Sequence, residues 1–298
     1  MSNVISKRSE LLFCYDISDA NPNGDPLDEN KPRIDEETGI NFVTDVRLKR
    51  TIRDYLAEFR GFNGKNGTDI FVREKELESG GLQDGKTRAK DFSDSKEKVL
   101  KECIDVRLFG GVIPLSKDSI TLTGPTQFKM GRSLHKVELK HIQGTGAFAS
   151  KPGAKNKTFR EEYVLPYSFI AFHGIINQNA AAHTGMTDDD AKLLLESIWM
   201  GTKNLISRSK FGQQPRFLLK VTYKEPNFFI GDLDRMIGMN CENEVKVRGL
   251  NDFTLNIDKL LTILDQYSDR IESIHYRVDP ELQTGNQIPS HWQPITDF

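Results

Sequence analysis

The run from Glu10 to Phe59 constrains the fold more than any other part of this chain. In Leu11-Leu12-Phe13-Cys14-Tyr15-Asp16-Ile17, alternation puts Leu11, Phe13, Tyr15 and Ile17 on one face, which predicts a strand lying on a core. Asn21-Pro22-Asn23-Gly24 then stops it. Pro22 fixes φ and lacks an N–H, while Asn23 and Gly24 accept positive φ, so the chain reverses and can bare backbone amides. Beyond an acidic loop, Thr44 is placed as the N-cap of a helix running to Phe59, with Asp45 at its positive end. Leu48, Ile52, Tyr55, Leu56 and Phe59 form its apolar stripe.

Cations flank that stripe. Arg47 and Arg50 lie three apart, Lys49 and Arg53 four apart, so they project from the sides of the helix. Two readings stay open: a solvated face with Asp54 and Glu58 as partners, or a cationic helix beside a sharp turn, a cradle for a phosphate backbone in which Asn23 and Gly24 take part. Bulk composition does not choose between them. At 298 residues, with 37% hydrophobic and 28% charged residues, the chain is an ordinary globular protein of one large or two smaller domains. Its net charge is -2, yet Lys129 to Arg160 holds eight basic residues against Glu138, a local charge of +7 that leaves -9 for the remainder. Such asymmetry points to an anionic partner, or to an acidic neighbour within the fold.

Three widely spaced cysteines, Cys14, Cys103 and Cys241, offer no disulfide framework and fit a reducing cytosol. The N-terminus has no apolar run of the signal-peptide kind, and the most apolar stretch, 163–176, is broken by Pro166 and His173. A cytoplasmic protein without a membrane span is expected.

Further elements follow in order. Ser119 to Phe128 and Glu162 to Ile176 are β-rich. Thr187 caps a helix with Asp188, Asp189 and Asp190 in its first turn; it is expected to run through Leu193, Leu194, Ile198 and Leu205 and to close with Lys203, Arg208 and Lys210. Arg216 to Tyr223 reads as a strand. The order β-α-β-β-α-β predicts an α+β, ferredoxin-like core of the kind found in RNA-recognition motifs. That core takes residues 1–60, 112–129 and 162–298, the last part adding a helix over 257–271 and a strand over 272–278. Two insertions interrupt it. Residues 61–111 end in a helix capped by Gly110-Gly111, while 130–161, rich in Gly, Pro and Lys, reads as a long, mobile β-hairpin.

Motifs for chemistry are few. Gly144-Thr145-Gly146-Ala147-Phe148-Ala149 has dinucleotide spacing, but no apolar strand leads into it and Pro152-Gly153 follows where a helix should run. No P-loop, HExxH or CxxC pattern occurs, and the six histidines show no ligand spacing, so neither cofactor nor metal is expected. Asp25, Asp28, Glu29, Asp35, Glu36 and Glu37 are dense enough to hold Mg²⁺, although turn chemistry explains them as well. Lys136, Lys151, Lys155 and Lys157 can follow a phosphate backbone as point charges, with Phe148 and Phe159 wedging against bases, or can be incidental lysines of a surface loop.

Asn21-Pro22-Asn23-Gly24-Asp25-Pro26, Lys31-Pro32-Arg33-Ile34-Asp35 and Val43-Thr44-Asp45-Val46-Arg47-Leu48-Lys49-Arg50 resemble the opening of the seventh Cas family, the backbone subunit of the CRISPR Cascade complex. Arg107-Leu108-Phe109-Gly110-Gly111, Gly124-Pro125-Thr126-Gln127 and Arg208-Ser209-Lys210-Phe211-Gly212 extend the resemblance to about Tyr223. It is nearest to the type I-B branch called Csh, and the type I-C relatives share much of the opening. The resemblance implies a non-catalytic protein that polymerises along CRISPR RNA as a helical filament, with the core as palm, 61–111 as fingers and 130–161 as a thumb that reaches the next copy. It implies guide contacts from Arg47, Lys49, Arg50, Arg53, Gln127, Arg208 and Lys210. Target DNA is then read by pairing with the guide. The implied partners are the large, small and guide 5′-end-capping subunits and a transient helicase-nuclease. The related type III backbone subunits cut RNA with an acidic loop residue, which keeps a metal-dependent ribonuclease using Asp25, Asp28 or Asp35 as the alternative.

Overall fold

The computed structural model describes residues 3–115, 119–149 and 157–298, with the backbone alone for 147–149, 157 and 159. In chain order the elements used below are β1 (Ser9–Ala20), β2 (Ile40–Val43), α1 (Asp45–Phe59), α2 (Ile104–Phe109), β3 (Thr126–Phe128), β4 (Gly131–Lys136), β5 (Lys140–Ala149), β6 (Lys157–Ile176), α3 (Asp188–Lys203), β7 (Gln214–Tyr223) and β8 (Ile271–Val278). One twisted sheet carries most of them, in the order β8-β7-β1-β6-β4-β2, with β3 also paired to β6. These pairings are antiparallel. The strands β7, β1, β6 and β3 are thus the fourth, first, third and second of the β-α-β-β-α-β order.

β1 sits at the centre because both its faces are apolar. Leu11, Phe13, Tyr15 and Ile17 meet α1 and α3 through Leu48, Ile52, Leu56, Leu194 and Ile198, as alternation predicts. Leu12 and Cys14 point the other way and are equally buried, against Tyr167, Phe169, Leu233, Phe253, Leu255 and Leu260. The segment after β7 therefore covers the second face of the sheet. An RNA-recognition-motif core left open would read bases across that face; here it is a packed interior.

The helices follow their caps. Thr44 Oγ1 accepts from the Arg47 amide, and the buried residues of α1 are Leu48, Thr51, Ile52, Tyr55 and Leu56. Phe59, assigned to the stripe by spacing, is 54% exposed and stacks on the outer side of Tyr55 in the last turn. Thr187 and Asp190 form a capping box on α3, and the same Asp190 carboxylate receives both Arg107 Nε at 2.9 Å and Arg107 Nη2 at 2.8 Å. α3 stops at Lys203, earlier than its sequence suggests: Asn204 folds back onto the Met200 carbonyl, and Ser207 accepts from the Lys210 and Phe211 amides in a separate turn. Arg208 and Lys210 thus close a loop, and the helix dipole does not explain them.

The insertion after α1 builds a small core of its own from Phe71, Ala89, Phe92, Val99, Cys103, Val106 and Ile113. The hairpin Gly110–Pro114 with Ser119–Thr123 packs there too, through Ile113, Ile120 and Leu122, so 112–123 goes with the insertion and only β3 returns to the main sheet. Gly110 and Gly124 mark the crossing: a Cβ on Gly124 would lie 1.9 Å from the Phe109 carbonyl carbon. Arg88, 4% exposed, pins this core through Asp69 and the Ile70 carbonyl. At the other insertion, β4 belongs to the main sheet, because Gly131 lets Phe172 approach where a Cβ would be 2.3 Å from its ring. The hairpin itself starts at Lys140, where β5 pairs with the first half of β6. At the C-terminal side the expected helix is Asp258–Gln266, shorter than read, and β8 extends the sheet beside β7.

A buried carboxylate closes the second face. Glu10 accepts from His173 Nε2, the Tyr223 hydroxyl and the amides of Ile230 and Gly231. Glu10→Ala leaves those donors unmet in a dry site and should cost about 3 kcal/mol or more, read as a lowered midpoint in urea unfolding; an unchanged midpoint would refute this role.

Candidate nucleic-acid interface

A cleft of about 760 Å³ opens between the Asn23–Gly24 turn, the first turns of α1 and the insertion core. Its walls hold Arg33, Arg47, Arg50, Arg53, Arg73 and Arg88, against the acids Glu74 and Asp84. Its floor is apolar, with Val46, Val72, Leu82 and Val112 all more than half exposed. Positive walls over an apolar floor suit a strand that offers phosphates to one side and bases to the other.

The turn is locked to the helix start. Asn23 Oδ1 accepts from the Thr44 amide and from Thr44 Oγ1, both at 2.9 Å. Gly24 is favoured by close approach: a Cβ there would fall 2.8 Å from the Asn30 carbonyl oxygen. Both predicted turn residues therefore shape the wall. The 207–212 loop docks on the same turn, with the Asn21 amide donating to the Ser209 carbonyl at 2.8 Å and Lys210 Nζ to the Asn21 carbonyl at 3.1 Å.

This docking brings Lys210 beside Arg47. Burial first, and then the Arg47 charge, pulls the Lys210 ammonium from 10.5 down to about 8. Burial also holds the Arg47 guanidinium below its ordinary value. Arg47 Nη2 donates to Thr51 Oγ1, its nearest carboxylate oxygen is Asp54 Oδ2 at 4.0 Å, and its Nε is buried with no hydrogen-bond partner. Two cations are thus held together with little compensating charge, an arrangement that an anion relieves.

The other predicted cations divide. Arg50, 47% exposed, reaches, among the described residues, only Asp54 on its own helix and Glu74 at 3.8 Å. Lys49 lies under the Phe109 ring and donates to Asp45 and to Gln127 Oε1, both at 3.0 Å. Gln127 in turn donates to the Gly124 carbonyl, so Lys49 and Gln127 are tied to each other and to the fold. Arg53 departs furthest from the sequence reading. It is 12% exposed and donates to Asp105, a fully buried carboxylate that also receives the Phe71 and Val72 amides. Lys136 is exposed on β4, away from the cleft lining. Arg208 pairs with Glu162, which Arg160 shares. Lys151 and Lys155 lie outside the described residues, as does the Lys157 side chain.

Sequence reasoning missed Arg33, Arg73, Arg88 and the apolar floor. One signal was available: Val46 stands at the i, i+4, i+7 spacing with Arg50 and Arg53, an apolar side chain on the cationic flank. The arginines of the insertion carry no comparable pattern.

The acidic loop is engaged by its own turns. Asp25 pairs with Arg33 at 2.7 Å and accepts from the Leu27 amide; Asp28 pairs with Lys31; Asp35 accepts from the Glu37 and Thr38 amides. Among the described residues, one group of three or more could hold a metal ion, His173, Asp232 and Asp234, assembled from segments too far apart to show as spacing. Lys129 Nζ already bridges both aspartates, and His173 meets Glu10.

The family profile described as CRISPR-associated protein Cas7 matches residues 7–258. The chain belongs to the Cas7 family. A CRISPR-associated protein Cas7 of Haloferax volcanii is 31% identical over 307 residues, covering 93% of this chain and 88% of the relative. Two solved chains share the fold: one from a CRISPR RNA-guided surveillance complex, pre-nicking, with a TM-score of 0.59 and 9% identity over 98% of this chain and 96% of that one. The other, from a CRISPR RNA-guided surveillance complex, has a TM-score of 0.56 and 10% identity over 98% and 95%. The mixed α/β architecture with a central sheet is thus a Cas7 architecture. No helix of the described residues is long and apolar enough to cross a membrane.

Arg50 and Arg53 of this Cas7 protein should separate experimentally. Arg53→Ala leaves Asp105 buried and uncompensated, for a loss of about 3 kcal/mol in urea unfolding, whereas Arg50→Ala should change stability by less than about 0.5 kcal/mol. Equal losses would contradict the division. Lys210 sets a pH dependence. Folded Lys210 releases its proton near pH 8 and the unfolded residue near 10.5, so the ligand-free protein gains stability from this group as pH rises between them. An anion raises the folded value, so affinity for an oligonucleotide should be flat below pH 8 and fall up to about tenfold per pH unit above it. Titrations across pH 6.5–9.5 check this, and Lys210→Arg should remove the dependence.

Proposed function

We propose that this protein is a guide-RNA-binding backbone subunit of a type I-B Cascade surveillance complex. The observation that carries the reading is Arg47, which lines the cleft beside the Asn23 turn of a Cas7-family chain with its Nε unmet and with the cation of Lys210 acting on it. Its place in the fold supports the same reading. The second face of the sheet is packed, which closes the route across the strands and supports a path along the turn and the start of α1.

In this reading the β7-β1-β6-β3 core with α1 and α3 is the ferredoxin-like palm, the core of residues 61–123 is the finger region, and the β5–β6 hairpin is the thumb. Arg47, Lys210 and Arg50 grip guide phosphates, while Arg53, Lys49 and Gln127 hold the wall in place. Successive copies polymerise along the guide in the cytoplasm and present it for pairing with target DNA. The large, small and 5′-end-capping subunits complete the complex, and a recruited helicase-nuclease does the cutting. The protein is then a binder rather than an enzyme, a view supported by the turn amides and cations that engage Asp25, Asp28 and Asp35.

Purification of the full chain from cells expressing a CRISPR array tests this. RNA of one discrete length should co-purify and give a high 260/280 nm absorbance ratio. Arg47→Gln with Lys210→Gln should lose it, while Arg50→Gln should keep it and lower the slope of log affinity against log salt by about 0.7. An RNA-free wild-type protein that assembles with no added guide would overturn the reading, and cleavage of complementary RNA in Mg²⁺ that Asp25→Ala abolishes would establish the ribonuclease instead.

A further inference from the structure

On the sheet face that carries α3, alongside that helix, two cations and a histidine share one strip. His275 and Arg277 are two apart on β8, and Lys220 of β7 lies directly across from His275 in the register, as Leu218 does from Arg277. They meet little opposing charge. Among the described residues, no carboxylate comes within 4.0 Å of Lys220, His275 or Arg277. Asp188 alone among acids acts on Lys220. His275 Nδ1 and Arg277 Nη1 are both buried without a hydrogen-bond partner. Burial disfavours the charged form of all three, with Lys220 adding to the effect at His275. A folded protein seldom leaves buried donors unmet, because each such group costs about 1–3 kcal/mol.

Arg277 opens into a cavity of about 520 Å³. Its guanidinium lies over the rings of Trp199 and Phe298, 5.0 Å from each centroid, which restrains the group where it lines the cavity. Lys203, exposed at the end of α3, adds a second positive charge to the lining. The one acid of the lining, Asp279, is paired with Arg216 at 3.2 Å. The remaining walls mix the apolar Pro215, Val278, Pro280, Pro294 and Ile295 with the polar Gln214, Tyr276 and Thr296.

We infer that this cavity is a docking site for an acidic, partly apolar peptide segment of a partner protein, whose carboxylate pairs with Arg277 while Lys203 lies at the rim. Carboxylate is favoured over a nucleotide because a base needs a free ring face. Trp199 is 5% exposed with Arg277 over its ring, and Tyr276, the other aromatic of the lining, already meets Trp292 edge-on, so neither ring is offered free to a base. A restrained guanidinium matches the two oxygens of a carboxylate, and the apolar part of the walls matches an adjoining aliphatic side chain. The site lies apart from the guide cleft and shares no lining residue with it. The inference therefore stands whether or not that cleft binds RNA.

Trp199 is a built-in reporter, because the only other tryptophan is Trp292. In full-length Trp292→Phe protein, an N-acetylated tetrapeptide of alternating glutamate and leucine should shift Trp199 emission saturably, and the glutamine analogue should not. Arg277→Gln should weaken binding at least about tenfold, and Lys203→Gln, which touches no core, about threefold, with co-purifying RNA unchanged in both. If Arg277→Gln fails to fold, Lys203→Gln and the glutamine analogue still decide the matter. No saturable shift with the peptide, or equal binding by the glutamine analogue, would overturn the inference. So would uridine monophosphate or inorganic phosphate binding more tightly than the peptide, since either reassigns the site to phosphate.

Discussion

One buried carboxylate sets the relation between the two halves of the cleft. Asp105 has no contact with solvent and receives Arg53 from the palm side and two backbone amides from the insertion. A carboxylate in such a place is tolerated only because its charge and lone pairs are all met. The geometry of the cleft follows from that requirement. Arg53 must stay where Asp105 is, Phe71 and Val72 must stay where their amides reach it, and the apolar floor between them keeps its width. Arg107 on Asp190 repeats the device on the far side of α2, tying the insertion to α3.

The central elements of the fold were legible because short-range physics decides them. Alternation placed β1, a Thr-Asp start placed α1, and Thr187 before an acid-rich first turn placed α3. Misreadings came where long-range contacts decide. Phe59 has the spacing of a core residue but sits on the exposed side of the last turn, against Tyr55. Arg208 and Lys210 follow a helical run, yet Asn204 ends the helix with a side chain that propensity treats as merely unfavourable. Residues 112–123 look like any β-rich stretch, and only the crossing at Gly110 and Gly124 sends them to the insertion.

Charge was legible as position but not as availability. Arg47, Lys49, Arg50 and Arg53 look alike on a helical wheel, and the structure gives them three different settings. Lys49 and Arg53 complete the interior, Arg50 faces solvent, and Arg47 is half-enclosed beside another cation. The acid that neutralises Arg53 comes from 52 residues away, so no local pattern could separate it from its neighbours. Lys210 is further still, and its depressed affinity for a proton exists only because a loop folds back onto the turn at Asn21.

The position of β1 has a consequence for synthesis. Its first residue pairs with Ile176 on one side and with Thr222 on the other. This strand therefore leaves the ribosome long before either hydrogen-bonding partner exists: α1 can cover one face early, but the second edge stays unpaired until Thr222 is made and the other face uncovered until the segment beyond Tyr223 follows. Closing loops of that size is slow compared with local helix formation. During that interval the exposed strand is a target for chaperones and for strands of other nascent chains. The Asn-Pro-Asn-Gly turn and the charged residues that follow it supply the solubility the strand lacks, so the segment that shapes the cleft also protects the chain while it is being made.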